Sequence, residues 1–138
     1  MDRLLEKIRV RGYKLTPKRI EMIRILHAKG GHFTPEEVCA LLKRRFKKIG
    51  LPSVYRNLET LAECGVLVRI HQLDRQRHYA VCSHQGDKHH HHIVCTGCNK
   101  VEEMSECKVE APKKVHGFRV LEHFLQFQGI CPDCEIKK

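Results

Sequence analysis

Apolar residues recur at three- and four-residue intervals through the first sixty positions, with polar and charged residues between them. This spacing is typical of amphipathic helices that bury one face. It predicts four helices, at about residues 3–10, 17–29, 35–48 and 52–64. Thr16 and Thr34 are suited to cap the second and third helices, and Glu37 is placed to complete a capping box with Thr34. The expected buried positions are Ile20, Ile23, Leu26, Val38, Leu41, Leu42, Phe46, Val54, Leu58, Leu61 and Ala62.

The pattern changes after Gly65, where short apolar runs are separated by turn residues. Residues 66–71 and 77–81 predict two strands of a hairpin. Further strands are predicted at 89–94, 100–105 and 118–127, with a short helix at 107–116. Helices followed by a basic hairpin are typical of a winged helix, so we expect an α+β protein whose second part is a small α/β domain.

The chain has 138 residues, 41% of them hydrophobic, which is enough for one or two small domains. It contains no apolar run of membrane-spanning length and no signal-peptide pattern, so we expect a soluble, cytoplasmic protein without a membrane partner. Residues 1–80 carry a net charge of +10, whereas residues 81–138 are neutral. This asymmetry favours a polyanion-binding half joined to a sensor, although basic residues also solubilise exposed helices.

The fourth helix is the candidate recognition helix of a helix-turn-helix, because it follows a basic helix after a short turn. Its polar faces carry residue types that hydrogen-bond phosphates and base edges. An ordinary solvated face is the alternative interpretation. The candidate DNA-contacting residues are Ser53, Tyr55, Arg56, Asn57 and Thr60, with Lys14, Arg19 and Arg75 outside this helix.

Two CxxC pairs, Cys95 with Cys98 and Cys131 with Cys134, indicate a metal site. Four thiolates complete a closed tetrahedron around zinc and leave no open position, so we expect a structural role. A redox dithiol is the less favoured alternative, since two pairs occur together. Cys39, Cys64 and Cys107 lack partners of this kind in the sequence and are expected to be buried thiols.

Four consecutive histidines lead into the first CxxC pair. In an extended strand, His89 and His91 point to one face while His90 and His92 point to the other, so one strand can supply two metal sites. Further potential ligands stand nearby in the sequence, namely Cys82, Glu103, Glu110 and His123. A zinc hydrolase is disfavoured because no HExxH motif is present, and we expect no small-molecule substrate. A metal-storage or metallochaperone module would leave the basic helices without a role.

Several stretches together resemble the ferric uptake regulator family over nearly the whole chain. They are LTPKRIEMIRIL, HFTPEEVCALL, GLPSVYRNLETLAECGVL, HHHHIVCTGCNKVEE and HGFRVLEHFLQFQGICPDC. The resemblance implies a winged-helix DNA-binding domain with a hinge at its end (residues 1–82) and a metal-binding dimerisation domain (residues 83–138). It also implies a homodimer that binds a double-stranded operator palindrome when loaded with a regulatory metal, normally as a repressor.

The resemblance also assigns ligands by position. The four CxxC cysteines correspond to the family's structural zinc site. The resemblance assigns His90 and His92 to a hinge sensor site, to which the family often adds a residue at the position of His32. Tyr55 and Arg56 stand where the family's recognition helix meets DNA. A separate site in the dimerisation domain corresponds to His89, His91, Glu110 and His123.

One departure bears on the regulatory metal. Iron and peroxide sensors of the family usually place an acid after the aromatic residue of the second wing strand, where this chain has Ala80. Cys82, two positions on, resembles a sensor ligand of the zinc uptake regulators, and thiolate favours zinc over ferrous iron. His32, His71 and Glu103 remain alternatives for completing this site. The expected effector is therefore zinc, with ferrous iron or peroxide sensing as the alternative.

Overall fold

The structure, a computed structural model, describes residues 1–71, 74–82, 90–104, 107 and 110–137. The predicted ligand His89 lies outside these residues. Contacts divide the chain into two units, Met1–Ser83 and His84–Lys138. In the part that the structure describes, no helix is long and apolar enough to span a membrane.

The first unit combines helices with a small antiparallel sheet whose strand order is β1-β3-β2. Its helices are α1 (Asp2–Val10), α2 (Pro17–Lys29), α3 (Pro35–Leu42) and α4 (Leu51–Glu63), and its strands are β1 (His32–Phe33), β2 (Leu67–Ile70) and β3 (His78–Val81). The helix-turn-helix and the hairpin after it confirm the predicted winged helix. The third helix ends at Leu42, earlier than predicted, and turns follow it.

The predicted caps are present at the starts of α2 and α3. The Thr16 hydroxyl accepts a hydrogen bond from the Arg19 amide at 3.3 Å. At the next helix, the Glu37 amide donates to the Thr34 hydroxyl at 3.2 Å, and the Thr34 amide donates to the Glu37 carboxylate at 2.9 Å. These bonds satisfy amides that have no partner within a helix, so the local sequence fixes where both helices begin.

The apolar stripes of the helices meet in one core. Most of the predicted positions are fully buried, and so is Met22, which the helical spacing did not single out. Ile20, Leu41, Phe46 and Ala62 are only partly buried at the edge of this core. The fully buried members of the predicted set are Ile23, Leu26, Val38, Leu42, Val54, Leu58 and Leu61.

The second unit contains a three-stranded sheet of order β5-β4-β8 and a separate two-stranded hairpin. Its elements are β4 (His91–Cys95), β5 (Val101–Met104), β6 (Lys114–Val115), β7 (Phe118–Arg119), β8 (Gln126–Gly129) and α5 (Pro132–Ile136). Strand β4 is antiparallel to β5 and parallel to β8, with Cys95 opposite Gly129. The carboxyl ends of two parallel strands therefore lie side by side and bring the two CxxC pairs together.

Two sequence predictions in this unit are wrong. The predicted helix at 107–116 is not formed by its described residues, of which Lys114–Val115 form β6 instead. The physical reason is the turn at His116 and Gly117, whose φ angles of 47° and 83° match a two-residue hairpin loop. The predicted strand at 118–127 is interrupted, because residues 120–125 belong to no strand.

Candidate metal centres and DNA-contacting surface

The four CxxC cysteines converge at the joined ends of β4 and β8. Cys95 ends β4, Cys98 lies in the turn after it, and Cys131 and Cys134 lie at the start of α5. Their sulfur atoms all lie within 4.8 Å of one another, and the Sγ atoms of Cys98 and Cys131 are 3.7 Å apart. Tetrahedral zinc with Zn–S bonds of about 2.3 Å requires sulfur separations of roughly 3.8 Å. The site therefore fits one ion held by four thiolates.

Backbone amides favour thiolate formation within this cluster. The amides of Cys131 and Gly97 donate to Cys95 Sγ at 3.3 and 3.4 Å. Hydrogen bonds from the backbone, first that of Cys131, lower the pKa of Cys95 to about 6. Hydrogen bonds with the neighbouring thiols, first that of Cys131, raise the pKa of Cys134 to about 12. The neighbouring sulfurs thus oppose ionisation of Cys134, which a bound cation would offset.

A second cluster in the same unit joins His91, Cys107 and His123. Cys107 Sγ lies 3.1 Å from His91 Nε2 and 3.4 Å from His123 Nε2. His91 is buried, and the other two side chains are half-buried. The expectation that Cys107 is a buried thiol is therefore wrong, because its side chain is half-buried and lies between two imidazoles. Glu110 is exposed and is not among the clustered groups of the described residues.

The hinge ligands predicted in the first unit occupy different ends of its sheet. His32 on β1 pairs with Ala80 on β3. Cys82 is two residues beyond Ala80, and its amide donates to the Val66 carbonyl at 2.9 Å, which continues the ladder. Paired residues and residues two apart share a sheet face, so His32 and Cys82 lie on the same face. His71 is exposed and follows the opposite end of β2, about 16 Å along the strand from the position beside Cys82.

The hinge ligands predicted in the second unit lie immediately before β4, on β4 and on the neighbouring β5. The rings of His90 and His92 are 4.8 Å apart and both are half-buried. Glu103 on β5 pairs directly with His92, so the two side chains point to the same face.

A histidine that the sequence interpretation missed, His78, contacts His32. The Nδ1 atoms of the two rings are 3.0 Å apart, and His78 Nε2 lies 2.9 Å from Asp74 Oδ2. This contact, the largest cause, holds the pKa of Asp74 below its usual value. If His78 Nε2 donates to the carboxylate, the neutral ring accepts at Nδ1 from His32, which leaves the lone pair of His32 on Nε2. One signal in the sequence could have indicated His78. It stands four positions before Cys82, and in an extended strand this spacing places both side chains on the same face.

The predicted DNA-contacting residues of α4 are partly tied to other helices. Asn57 accepts a hydrogen bond from Arg19 Nε at 3.0 Å and donates to the Ser53 carbonyl at 2.9 Å. The Tyr55 hydroxyl donates to Glu36 on α3 at 3.2 Å. These contacts fix the orientation of α4 against α2 and α3.

The other candidates are distributed around this helix. Arg19 also donates to the Lys14 carbonyl at 2.8 Å, and the Thr60 hydroxyl donates to the Arg56 carbonyl at 3.0 Å. Arg56 itself is exposed, as is Arg75, whose φ of 62° places it in the turn between β2 and β3. The exposed guanidinium groups are thus presented by the fourth helix and by the hairpin.

Comparison with known proteins gives consistent matches. The family model described as the ferric uptake regulator family matches residues 10–128. A ferric uptake regulation protein of Bacillus subtilis (strain 168) is 34% identical, covering 100% of this chain and 96% of its own. An iron-containing ferric uptake regulator structure from Francisella tularensis is 26% identical, with coverages of 90% and 96% and a TM-score of 0.58. A zinc uptake regulator complexed with zinc and DNA shares the fold at 23% identity, with coverages of 99% and 93% and a TM-score of 0.74.

Proposed function

Since the chain belongs to the ferric uptake regulator family, and is thus a metal-responsive transcription regulator and not an enzyme, we propose that zinc is its effector. In this proposal, the zinc-loaded homodimer represses transcription by binding a palindromic operator. Zinc uptake genes are the natural targets of a regulator that responds to this metal. The four-cysteine cluster holds a structural zinc ion, since its sulfur separations suit tetrahedral coordination.

The observation that favours zinc over iron as the effector is the position of Cys82. This thiol is buried and lies on the same face of the wing sheet as His32. A thiolate among imidazoles favours zinc over ferrous iron, which prefers oxygen and nitrogen donors. His71 is the weaker candidate, because it lies at the far end of the hairpin. We therefore propose His32, Cys82, His90 and His92 as the sensor ligands, with Glu103 as the alternative fourth ligand.

The sensor ligands come from both units, and a shared cation would restrict the arrangements of the DNA-binding unit relative to the dimerisation unit. Arrangements that match two successive major-groove sites would then be more populated, which raises the apparent affinity for a palindrome. His78, which contacts Asp74, lies 3.0 Å from His32 Nδ1 and would favour the tautomer of His32 that carries its proton on Nδ1. A second metal site in the dimerisation domain, taken from His89, His91, Glu110 and His123, belongs to the same proposal.

On the DNA side, α4 enters the major groove. The exposed Arg56 and the hydroxyl of Tyr55 are proposed to contact base edges or phosphates, together with Ser53 and Thr60. Asn57 and Arg19 bind each other, so their first role is to hold the helix in position. Lys14 and Arg75 are proposed to contact the phosphate backbone, where basic groups give affinity that depends on salt.

Homodimerisation is supported by apolar side chains that the second unit exposes. Three large apolar side chains are 76–81% exposed, namely those of Phe118, Leu121 and Phe124. Large apolar side chains exposed within seven consecutive positions are expected to mark an interaction site, and a second copy would cover them. The predicted pairing of subunits through residues 118–127 therefore stays a proposal.

The test is a metal titration of operator binding. The duplex is first selected from a random pool by the zinc-loaded protein. Zinc is expected to raise operator affinity by about 5–150-fold, the usual scale of such coupling. Cys82→Ser should lose most of this response, whereas Cys39→Ala, which removes a buried thiol elsewhere in the same unit, should keep it.

Three results would contradict the proposal in different ways. Equal operator affinity with and without zinc would refute metal-responsive binding. An unchanged zinc response in Cys82→Ser would remove Cys82 from the sensor site. Saturation by ferrous iron at lower free concentration than zinc would make iron the effector.

The second candidate function is ferrous-iron sensing by the same histidines. The observation that favours it is the pairing of Glu103 with His92, since carboxylate and imidazole together suit ferrous iron. A peroxide sensor would use the same metal. Absence of sequence-specific DNA binding would instead leave a metal-storage or metallochaperone role.

A further inference from the structure

Cys107 lies between two histidines that reach it from different segments of the second unit. Its sulfur is 3.1 Å from His91 Nε2 on β4 and 3.4 Å from His123 Nε2 in the segment before β8. The donor atoms of all three side chains lie within 4.8 Å of one another, and the two ring centroids are 5.2 Å apart. Three ligands of two types, imidazole and thiolate, thus converge from three segments, and both types suit borderline-soft metals.

The distances match those of a shared metal ion. Zn–S bonds of about 2.3 Å and Zn–N bonds of roughly 2.0–2.1 Å at a tetrahedral angle place sulfur and nitrogen ~3.5 Å apart. We propose that Cys107, with His91 and His123, is a ligand of a thiolate–imidazole metal site in the second unit, and that this site selects zinc-like, thiophilic cations. The inference rests on the proposed function, in which His91 and His123 already belong to a site of this unit.

The new element is the sulfur. With His89, His91, Glu110 and His123 the site would offer nitrogen and oxygen donors only, a set that also suits iron and manganese. Glu110 is exposed, whereas Cys107 is in contact with both imidazoles. Replacing carboxylate by thiolate shifts the preference toward zinc and cadmium, so this site and the sensor site would discriminate against iron by the same chemistry.

The experiment counts metal ions and reads the sulfur directly. The background is full-length Cys82→Ser protein with its four-cysteine zinc retained, so that the hinge thiolate does not contribute. Cobalt(II) added to this protein is expected to give a thiolate-to-cobalt charge-transfer band. Cys107→Ser should abolish that band and weaken zinc binding at this site by at least about tenfold. Tenfold is the minimum because the loss of a group that only hydrogen-bonds to a metal ligand already has an effect of about this size.

Cys39→Ser is the matched control, because it makes the same substitution at a buried thiol of the first unit. It should leave the charge-transfer band and the zinc content unchanged. Loss of the ion in Glu110→Gln together with its retention in Cys107→Ser would overturn the proposal. A charge-transfer band that survives in Cys107→Ser would do the same.

A second readout guards against misfolding of the serine variant. Without any substitution, zinc should slow alkylation of Cys107, identified by peptide mapping, relative to protein stripped by a mild chelator. Equal alkylation rates would mean that the thiol is only hydrogen-bonded between the imidazoles.

Cys107→Asp should keep an ion but bind manganese better relative to zinc than the parent chain does. None of these measurements involves DNA, so their failure is distinct from failure of zinc-dependent operator binding.

Discussion

Glu59 connects the recognition helix with the wing at the level of single side chains. Its carboxylate accepts hydrogen bonds from Arg69, Tyr79 and Arg77, the last at 3.1 Å. The hydrogen bond from Arg69, followed by that from Tyr79, lowers the pKa of Glu59 to about 2, although burial opposes this shift. The carboxylate is thus charged in the folded protein at any pH near neutrality, and it holds the hairpin against α4.

Replacing Glu59 by Gln should therefore destabilise the first unit at pH 7 by roughly 1–3 kcal/mol, the upper figure corresponding to the full pKa shift. The folded-state pKa is depressed, so this stabilisation is complete above about pH 4.5 and is lost as the pH falls through about 2. Chemical denaturation of both proteins across this range checks the prediction. Glu6→Gln, at an exposed position, is the control. A stability difference between the parent chain and Glu59→Gln that does not change with pH would contradict the prediction.

Gly97 illustrates a residue whose importance lies in its missing side chain. A Cβ atom at this position would lie 3.0 Å from Cys134 Sγ and 3.3 Å from Cys134 Cβ. We expect Gly97→Ala to displace the sulfur and speed release of zinc to a chelator, measured with a colorimetric indicator. Gly129→Ala should release zinc at the parental rate, because its Cβ would meet only Ile93 Cδ1 at an ordinary 3.6 Å. If the parent chain, Gly97→Ala and Gly129→Ala all release zinc at the same rate, the turn between Cys95 and Cys98 tolerates the added methyl group.

At the scale of elements, the sequence predicted the features that depend on residues close together in the chain. The caps at Thr16 and Thr34 and the stripes of α1 to α4 depend on residues a few positions apart, so they were readable. Strand β1 was missed because two residues carry no periodic pattern, and only its pairing with β3 defines it. The hairpin of β6 and β7 was missed because residues 107–116 were interpreted as a short helix, although Pro112 limits a helix there and His116 and Gly117 form a turn.

The same distinction explains the metal centres. The CxxC spacing is local, and it predicted four cysteines that do converge. Cys107 belongs to no CxxC pair, and its neighbours His91 and His123 are each sixteen positions away. Only the folding of the second unit around β4 brings these three side chains together, so no periodicity along the chain indicated the contact.

The capping box of α3 gives an element-scale prediction. Thr34→Ala removes the hydroxyl that accepts from the Glu37 amide, which should cost about 1 kcal/mol of the stability of the first unit. Because α3 supports the recognition helix through Glu36 and Tyr55, operator affinity should fall as well. Thr34→Ser keeps the cap and should behave almost as the parent chain in thermal unfolding and DNA-binding assays. Equal losses in both variants would assign the effect to the methyl group of Thr34 instead.

At the scale of the whole molecule, charge and ligands are divided between the two units. The excess positive charge belongs to residues 1–80, and two metal-ligand clusters belong to the second unit. In the proposed function the basic unit contacts DNA and the second unit reports metal, so the regulator needs both parts. A palindromic operator would need two basic units acting together, because one winged helix covers one half-site.

The exposed apolar side chains of the second unit provide the final prediction. Leu121 and Phe124 are 80% and 81% exposed, and acidic substitutions there would place charge in any interface that covers them. The double variant Leu121→Glu/Phe124→Glu should therefore sediment as a monomer while retaining its four-cysteine zinc. Val10→Glu, at a 75% exposed position of the first unit, should remain dimeric. Because a monomer binds each half-site independently, the double variant should also lose preference for a palindrome over a single half-site. A double variant that stays dimeric would place the subunit contact elsewhere on the surface.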